Sequence, residues 1–142
     1  MESARVLYIE DKSDNRLLVR RILMAEGVEV IEAETADQGI ALAQKHHPDL
    51  ILMDINMPGK DGYSATADIR NLPELNHIPI IALTANVMKG DKERSLDAGC
   101  DGYIPKPIDV DRFPYEVMGF IRKGRLSNGG SDHGRSTGYE PR

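Results

Sequence analysis

Apolar residues along this chain follow two alternating patterns, short aliphatic runs and longer stretches with helical spacing. The first run, Ala4 to Ile9 (ARVLYI), predicts a strand. Ser13 is placed to cap a helix in which Leu17, Leu18, Ile22 and Leu23 recur at helical spacing, with Gly27 at its end. Val28 to Ala33 (VEVIEA) alternates apolar and acidic residues, the pattern of a less buried strand. Thr35 with Gln38 forms a capping box, and the helix it opens carries Ile40, Ala41 and Leu42 and stops before Pro48. Leu50 to Met53 predicts a third strand, and Tyr63 to Arg70 a helix with Pro73 shortly after it. Ile78 to Leu83 (IPIIAL) predicts a fourth strand with Pro79 near its start. A helix over Asp91 to Asp97 ends at Gly99, a short fifth strand begins over Gly102 to Ile104, and a last helix runs toward Lys123. Pro114 is tolerated only in a first turn, which starts that helix near Asp111 rather than at Asp109.

Five strands, each followed by a helix, predict an α/β fold: a doubly wound, five-stranded parallel sheet flanked by five helices in a single domain. That domain spans residues 1–123. From Gly124 onward the chain loses its large apolar residues and fills with Gly, Ser and charge, so 124–142 reads as a disordered tail or linker remnant. In sheets of this kind ligands sit beyond the carboxyl ends of the strands, near the topological switch point.

Composition narrows the function. At 142 residues the chain is long enough for one core without disulfides, and its single cysteine, Cys100, rules out an intramolecular bridge. A net charge of −5 argues against nonspecific binding to nucleic acid or anionic membrane. No apolar run approaches the roughly 18 residues of a membrane span. The opening MESARVLYIED has no leader of the secretory kind, so a cytoplasmic location is the expectation.

The chemistry gathers at the strand ends. The first strand ends on Glu10 and Asp11 and the third runs straight into Asp54. If those strands are neighbours, three carboxylates converge and raise one another's pKa, a conflict that a divalent cation such as Mg²⁺ relieves. The fourth strand ends at Thr84 and the fifth leads to Lys106, followed by Pro107. A hydroxyl and an ammonium beside an acid cluster suit a bound dianion. Taken singly, each is ordinary surface or loop chemistry. Taken together, at successive strand ends, they form a site.

Glu10-Asp11, DINMPGKDGY around Asp54, Thr84-Ala85 and Lys106-Pro107 make the chain resemble a CheY-like response-regulator receiver domain of two-component signalling, with the flavodoxin-like fold. The resemblance covers about residues 4 to 123. The segment ANVMKGDKERSLDAGCDGYIPKPI looks like those of stand-alone DivK-type regulators and of receivers in hybrid histidine kinases. It implies that Asp54 takes a phosphoryl group from a phosphohistidine on a histidine kinase or phosphotransfer protein. It also implies Mg²⁺ held by Asp11, Asp54 and the backbone carbonyl of Asn56, with Glu10 acting mainly through water. Thr84 and Lys106 would bind phosphoryl oxygens, and the Lys106-Pro107 bond would be cis. Tyr103 would be the switch aromatic of a protein-binding face formed by the fourth helix, fifth strand and fifth helix; the same face would suit a phosphorylation-dependent homodimer. Glu10 stands where Asp is more common, which bears on ligand geometry alone.

Two other classes are weaker. A receiver-like module that binds partners without phosphorylation would be marked by loss of an acid or of Lys106, and none is lost. A phosphohydrolase of the haloacid-dehalogenase type would place an Asp-x-Asp near the N-terminus and add a cap domain, and this chain has Asp54-Ile55-Asn56 in mid-sequence. His46 and His47 are adjacent on a helix and point apart, so they suit the helix dipole better than a metal. Cys100 is expected to be a packed small residue.

Overall fold

In the computed structural model, which describes residues 4–85 and 90–124, alternate residues of the central strands divide between two apolar cores, one on each sheet face. The elements run β1 (Arg5–Ile9), α1 (Ser13–Met24), β2 (Glu29–Ala33), α2 (Ala36–His46), β3 (Leu50–Asp54), α3 (Gly62–Arg70), β4 (Ile80–Thr84), α4 (Asp91–Ala98), β5 (Gly102–Pro105) and α5 (Phe113–Lys123). All neighbours pair in parallel, in the order β2-β1-β3-β4-β5. Leu7, Ile9, Ile51 and Met53 face the core shared with α2 and α3, while Val6, Tyr8, Leu50 and Leu52 face the core shared with α1 and α5. β3 is buried along its whole length, and β2, at the edge, is mostly half-buried, as its alternating acids require.

Several boundaries move by a residue or two. Ser13 does not cap α1: Lys12 occupies the N-cap position in extended conformation without a side-chain cap, and Ser13 is the first helical residue. Leu17 and Leu18 are not core residues either, at 39% and 40% exposed. The helix instead buries Val19 and Leu23, one turn apart, so that Leu17 points away from the sheet. In α2 the Thr35 hydroxyl accepts from the Gln38 N–H, whereas the Gln38 side chain reaches past Thr35 to the N–H of Glu34. His47 ends this helix in the left-handed region, at φ 48°. β4 begins after Pro79 and takes in Thr84. α5 starts at Phe113 rather than Asp111, because Asp109 Oδ1 accepts from the N–H groups of Asp111 and Arg112 and holds them in a turn; Pro114 falls in the first turn. Cys100 is buried.

Among the described residues no helix is long and apolar enough to cross a membrane. The tail expected over 124–142 lies, apart from Gly124, outside the described residues.

Candidate functional site

The strand order puts the switch point between β1 and β3, and both strands end there on acids. The Glu10 N–H still bonds to the Ala33 carbonyl at 2.9 Å, and the Ile55 N–H to the Leu83 carbonyl at 3.1 Å, so the sheet ladder fixes the backbone around each carboxylate. Glu10, Asp11 and Asp54 each present a carboxylate oxygen within 4.8 Å of the others. Glu10 is fully buried and Asp54 nearly so.

Lys106 is the counter-charge. Its Nζ lies 2.9 Å from Asp54 Oδ1 and 3.6 Å from Glu10 Oε1. β5 delivers it there because the Lys106 N–H bonds to the Thr84 carbonyl at 2.8 Å, and the Lys106-Pro107 bond is cis, as expected. Thr84 itself is buried at the end of the adjacent strand. The Asn56 N–H donates to Asp54 Oδ1 at 3.1 Å, bending the chain out of β3 directly over the carboxylate. Gly62, at the start of α3, packs so close behind that an added Cβ would lie 2.7 Å from the Asp54 carbonyl oxygen. Asp61 caps that helix by accepting from the Ser64 N–H at 2.9 Å. Tyr103 on β5 is partly buried against the core that contains Met53 and Ala82.

One ammonium does not balance three carboxylates. Burial, reinforced by the charge of Asp54, pushes Glu10 above the usual carboxylate range. Asp11 Oδ1 is buried without a hydrogen-bond partner, an arrangement that costs free energy unless something cationic or protic meets it. Hard oxygen donors with unmet negative charge fit a divalent cation of the Mg²⁺ kind.

Three neighbours were not singled out by pattern. Tyr8 donates its hydroxyl to Glu10 Oε1 at 3.0 Å, and Asn15 Nδ2 lies 3.3 Å from the same oxygen. Arg16 donates to the Glu10 carbonyl at 2.8 Å and pairs with Glu32 at 3.1 Å, fastening the end of β1 to β2. The one sequence signal was a phenol inside an otherwise aliphatic strand.

A flavodoxin-like sheet with an acid cluster and a lysine at its switch point defines a class of signalling module. Residues 6–117 match the family described as the response regulator receiver domain, and the chain belongs to that family. It is accordingly a domain that undergoes phosphorylation in signalling rather than an enzyme acting on a separate substrate. Among particular relatives, the polar-differentiation response regulator DivK of Brucella ovis is 43% identical over 116 residues, covering 82% of this chain and 94% of its own length. The DivK of Brucella anthropi is 42% identical over the same length. The receiver domain of the sensor histidine kinase PA1611 from Pseudomonas aeruginosa, solved with a magnesium ion coordinated in its active site cleft, is 34% identical with a TM-score of 0.78, covering 85% of this chain and 99% of that one. A CheY-like receiver domain protein from Methanospirillum hungatei is 26% identical with the same TM-score of 0.78, covering 86% and 96% of the two chains.

Proposed function

We propose that Asp54 is the phosphoacceptor, that its phosphorylation depends on Mg²⁺, and that the donor is a phosphohistidine on a sensor histidine kinase or phosphotransfer protein. The observation that carries this reading is the meeting of Asp54 with Lys106 at 2.9 Å inside a cluster of three carboxylates. Asp11, Asp54 and the backbone carbonyl of Asn56 would hold the cation, with Glu10 acting through water. When bound, Mg²⁺ supplies charge neutralisation and alignment for phosphoryl transfer.

The chain's own groups carry the rest. A lone pair on the Asp54 carboxylate forms the new P–O bond as the P–N bond breaks, and that electron pair returns to the departing imidazole. Lys106 offsets the repulsion between carboxylate and phosphoryl oxygens, and the Thr84 hydroxyl donates to one of them. Tyr103 pairs with Ala82 and Thr84 with Pro105 on the adjacent strands, so Thr84 lies two residues further along the same sheet face as Tyr103. Movement of Thr84 toward the phosphoryl group would therefore reach Tyr103 and the face of α4, β5 and α5, where a downstream protein docks. The switching unit is residues 1–123, its setting the cytoplasm, and its likeness is to stand-alone DivK-type regulators and to receivers of hybrid histidine kinases.

Intact mass after incubation with Mg²⁺ and acetyl phosphate tests this. One phosphoryl increment is expected, dependent on Mg²⁺ and absent in Asp54→Asn. An increment that persists in Asp54→Asn would overturn the assignment. No increment, together with no binding of beryllofluoride, would favour a partner-binding module that is never phosphorylated.

A further inference from the structure

The three acids of the cluster are not equivalent, and the difference starts at Tyr8. Its ring is fully buried among the residues of the α1 and α5 core, where a phenol hydroxyl needs a partner. The partner is Glu10, two residues on and so on the same face of the chain. Glu10 Oε1 accepts from Tyr8 at 3.0 Å and from Asn15 Nδ2 at 3.3 Å, while Oε2 accepts from the Lys12 N–H at 3.1 Å. Both oxygens are thus engaged by donors from β1 and the start of α1. Asp11 Oδ1 has no such donor, and Asp54 Oδ1 accepts from the Asn56 N–H and from Lys106.

We propose that Tyr8 is a positioning residue for the cation site: its hydroxyl holds Glu10 turned into the protein, leaving Asp11 and Asp54 to meet Mg²⁺ directly. The inference rests on the phosphoacceptor reading for the identity of the cation. A glutamate has one more rotatable bond than an aspartate in the same place, and an untethered one would sample several orientations beside the ion. The phenol removes that freedom. Tyr8→Phe keeps the ring and deletes only the donor. Partners behind a metal's ligands typically govern affinity by about 10- to 100-fold.

The test uses the full chain and Mg²⁺ alone, titrated calorimetrically, beside the initial rate of Asp54 labelling by acetyl phosphate at varied Mg²⁺. Tyr8→Phe is expected to raise the Mg²⁺ dissociation constant and the half-saturating concentration about tenfold, with a much smaller change in the rate at saturation. Asn15→Ala, which removes a donor to the same oxygen from outside the core, is expected to shift the same constants in the same direction. In a Glu10→Ala background, which removes the acceptor, Tyr8→Phe is expected to have little further effect, because the two act through one contact. An unchanged dissociation constant in a folded Tyr8→Phe protein would overturn the proposal, as would an equal loss in the Glu10→Ala background. The phosphoacceptor reading fails separately: a wild-type chain that binds Mg²⁺ more tightly than Tyr8→Phe but neither gains a phosphoryl group nor binds beryllofluoride would sustain the role of Tyr8 and overturn that of Asp54.

Discussion

Lys106 and Asp54, fifty-two residues apart in sequence, are joined at 2.9 Å by a hydrogen-bonded ion pair across two strands. The ammonium also faces Glu10 at 3.6 Å, so its removal exposes two buried carboxylates to one another. Lys106→Met is expected to destabilise the metal-free protein by about 2 kcal/mol, less than a fully buried pair because the lysine is 22% exposed. Labelling of Asp54 should slow on the order of 100-fold. Urea unfolding and timed intact mass measure the two effects.

Glu10 sets a pH dependence. Its carboxyl is pushed above its ordinary value of 4.5, first by burial and then by Asp54. In the window between that value and the raised folded one, the folded state holds a proton that the unfolded chain has lost. Stability of the metal-free protein should therefore fall as pH rises through this window, and not below it. Saturating Mg²⁺, which favours the ionised acids, should flatten or reverse the slope. Thermal unfolding across pH, with Mg²⁺ and with chelator, reads this directly. Glu10→Gln should remove the slope and weaken the response to Mg²⁺.

Gly62 should resist even alanine. A methyl there would stand 2.7 Å from the Asp54 carbonyl oxygen and 2.9 Å from the Ile55 Cα, both backbone atoms that cannot swing aside. Alanine ordinarily favours a helix over glycine by about 1 kcal/mol. Here α3 must shift instead, at an expected net cost of roughly 1–3 kcal/mol. The urea midpoint should drop, and Asp54 labelling should slow because its peptide is displaced.

Arg70 predicts a loss far from the acids. Its guanidinium pairs with buried Asp101 at 2.8 Å and donates to the carbonyls of Gly99 at 2.9 Å and Ile78 at 2.8 Å. Asp101 Oδ2 also accepts from the Ile80 N–H at 3.0 Å, so the pair ties α3 to the starts of β4 and β5. Arg70→Ala strands a carboxylate that is 4% exposed and should cost about 3 kcal/mol by urea unfolding. Arg70→Lys should not recover it, since a point charge cannot reach three acceptors at once.

What the sequence made legible was whatever depends on local order. Asp54 stood out because an aliphatic strand ran into an acid and then a loop, and Glu10, Asp11, Thr84 and Lys106 because each stands at the carboxyl end of a strand. The alternation of strands and helices then required the parallel sheet. Contacts between distant elements had no such signal. Arg70 and Asp101 look like surface charges until the fold brings α3 beside β5. Tyr8 looked like one more apolar strand residue, since nothing in the pattern tells which way its hydroxyl points. Leu17 and Leu18 misled for the opposite reason: both are apolar, but only the rotation of α1 on the sheet, centred on Val19 and Leu23, decides which residues are covered.

The lysine of the site directly follows an edge strand, and that placement also guards the end of the sheet. Edge strands invite pairing with other chains through their outward N–H groups. The Lys106 N–H turns inward to Thr84, so the neighbouring positions along the chain turn outward, and the one that lies within β5 is Pro105. Proline has no N–H to offer. Where β5 gives way to Lys106, its outward position is thus a proline, which offers a second strand no donor there and limits pairing at that end of the sheet's border.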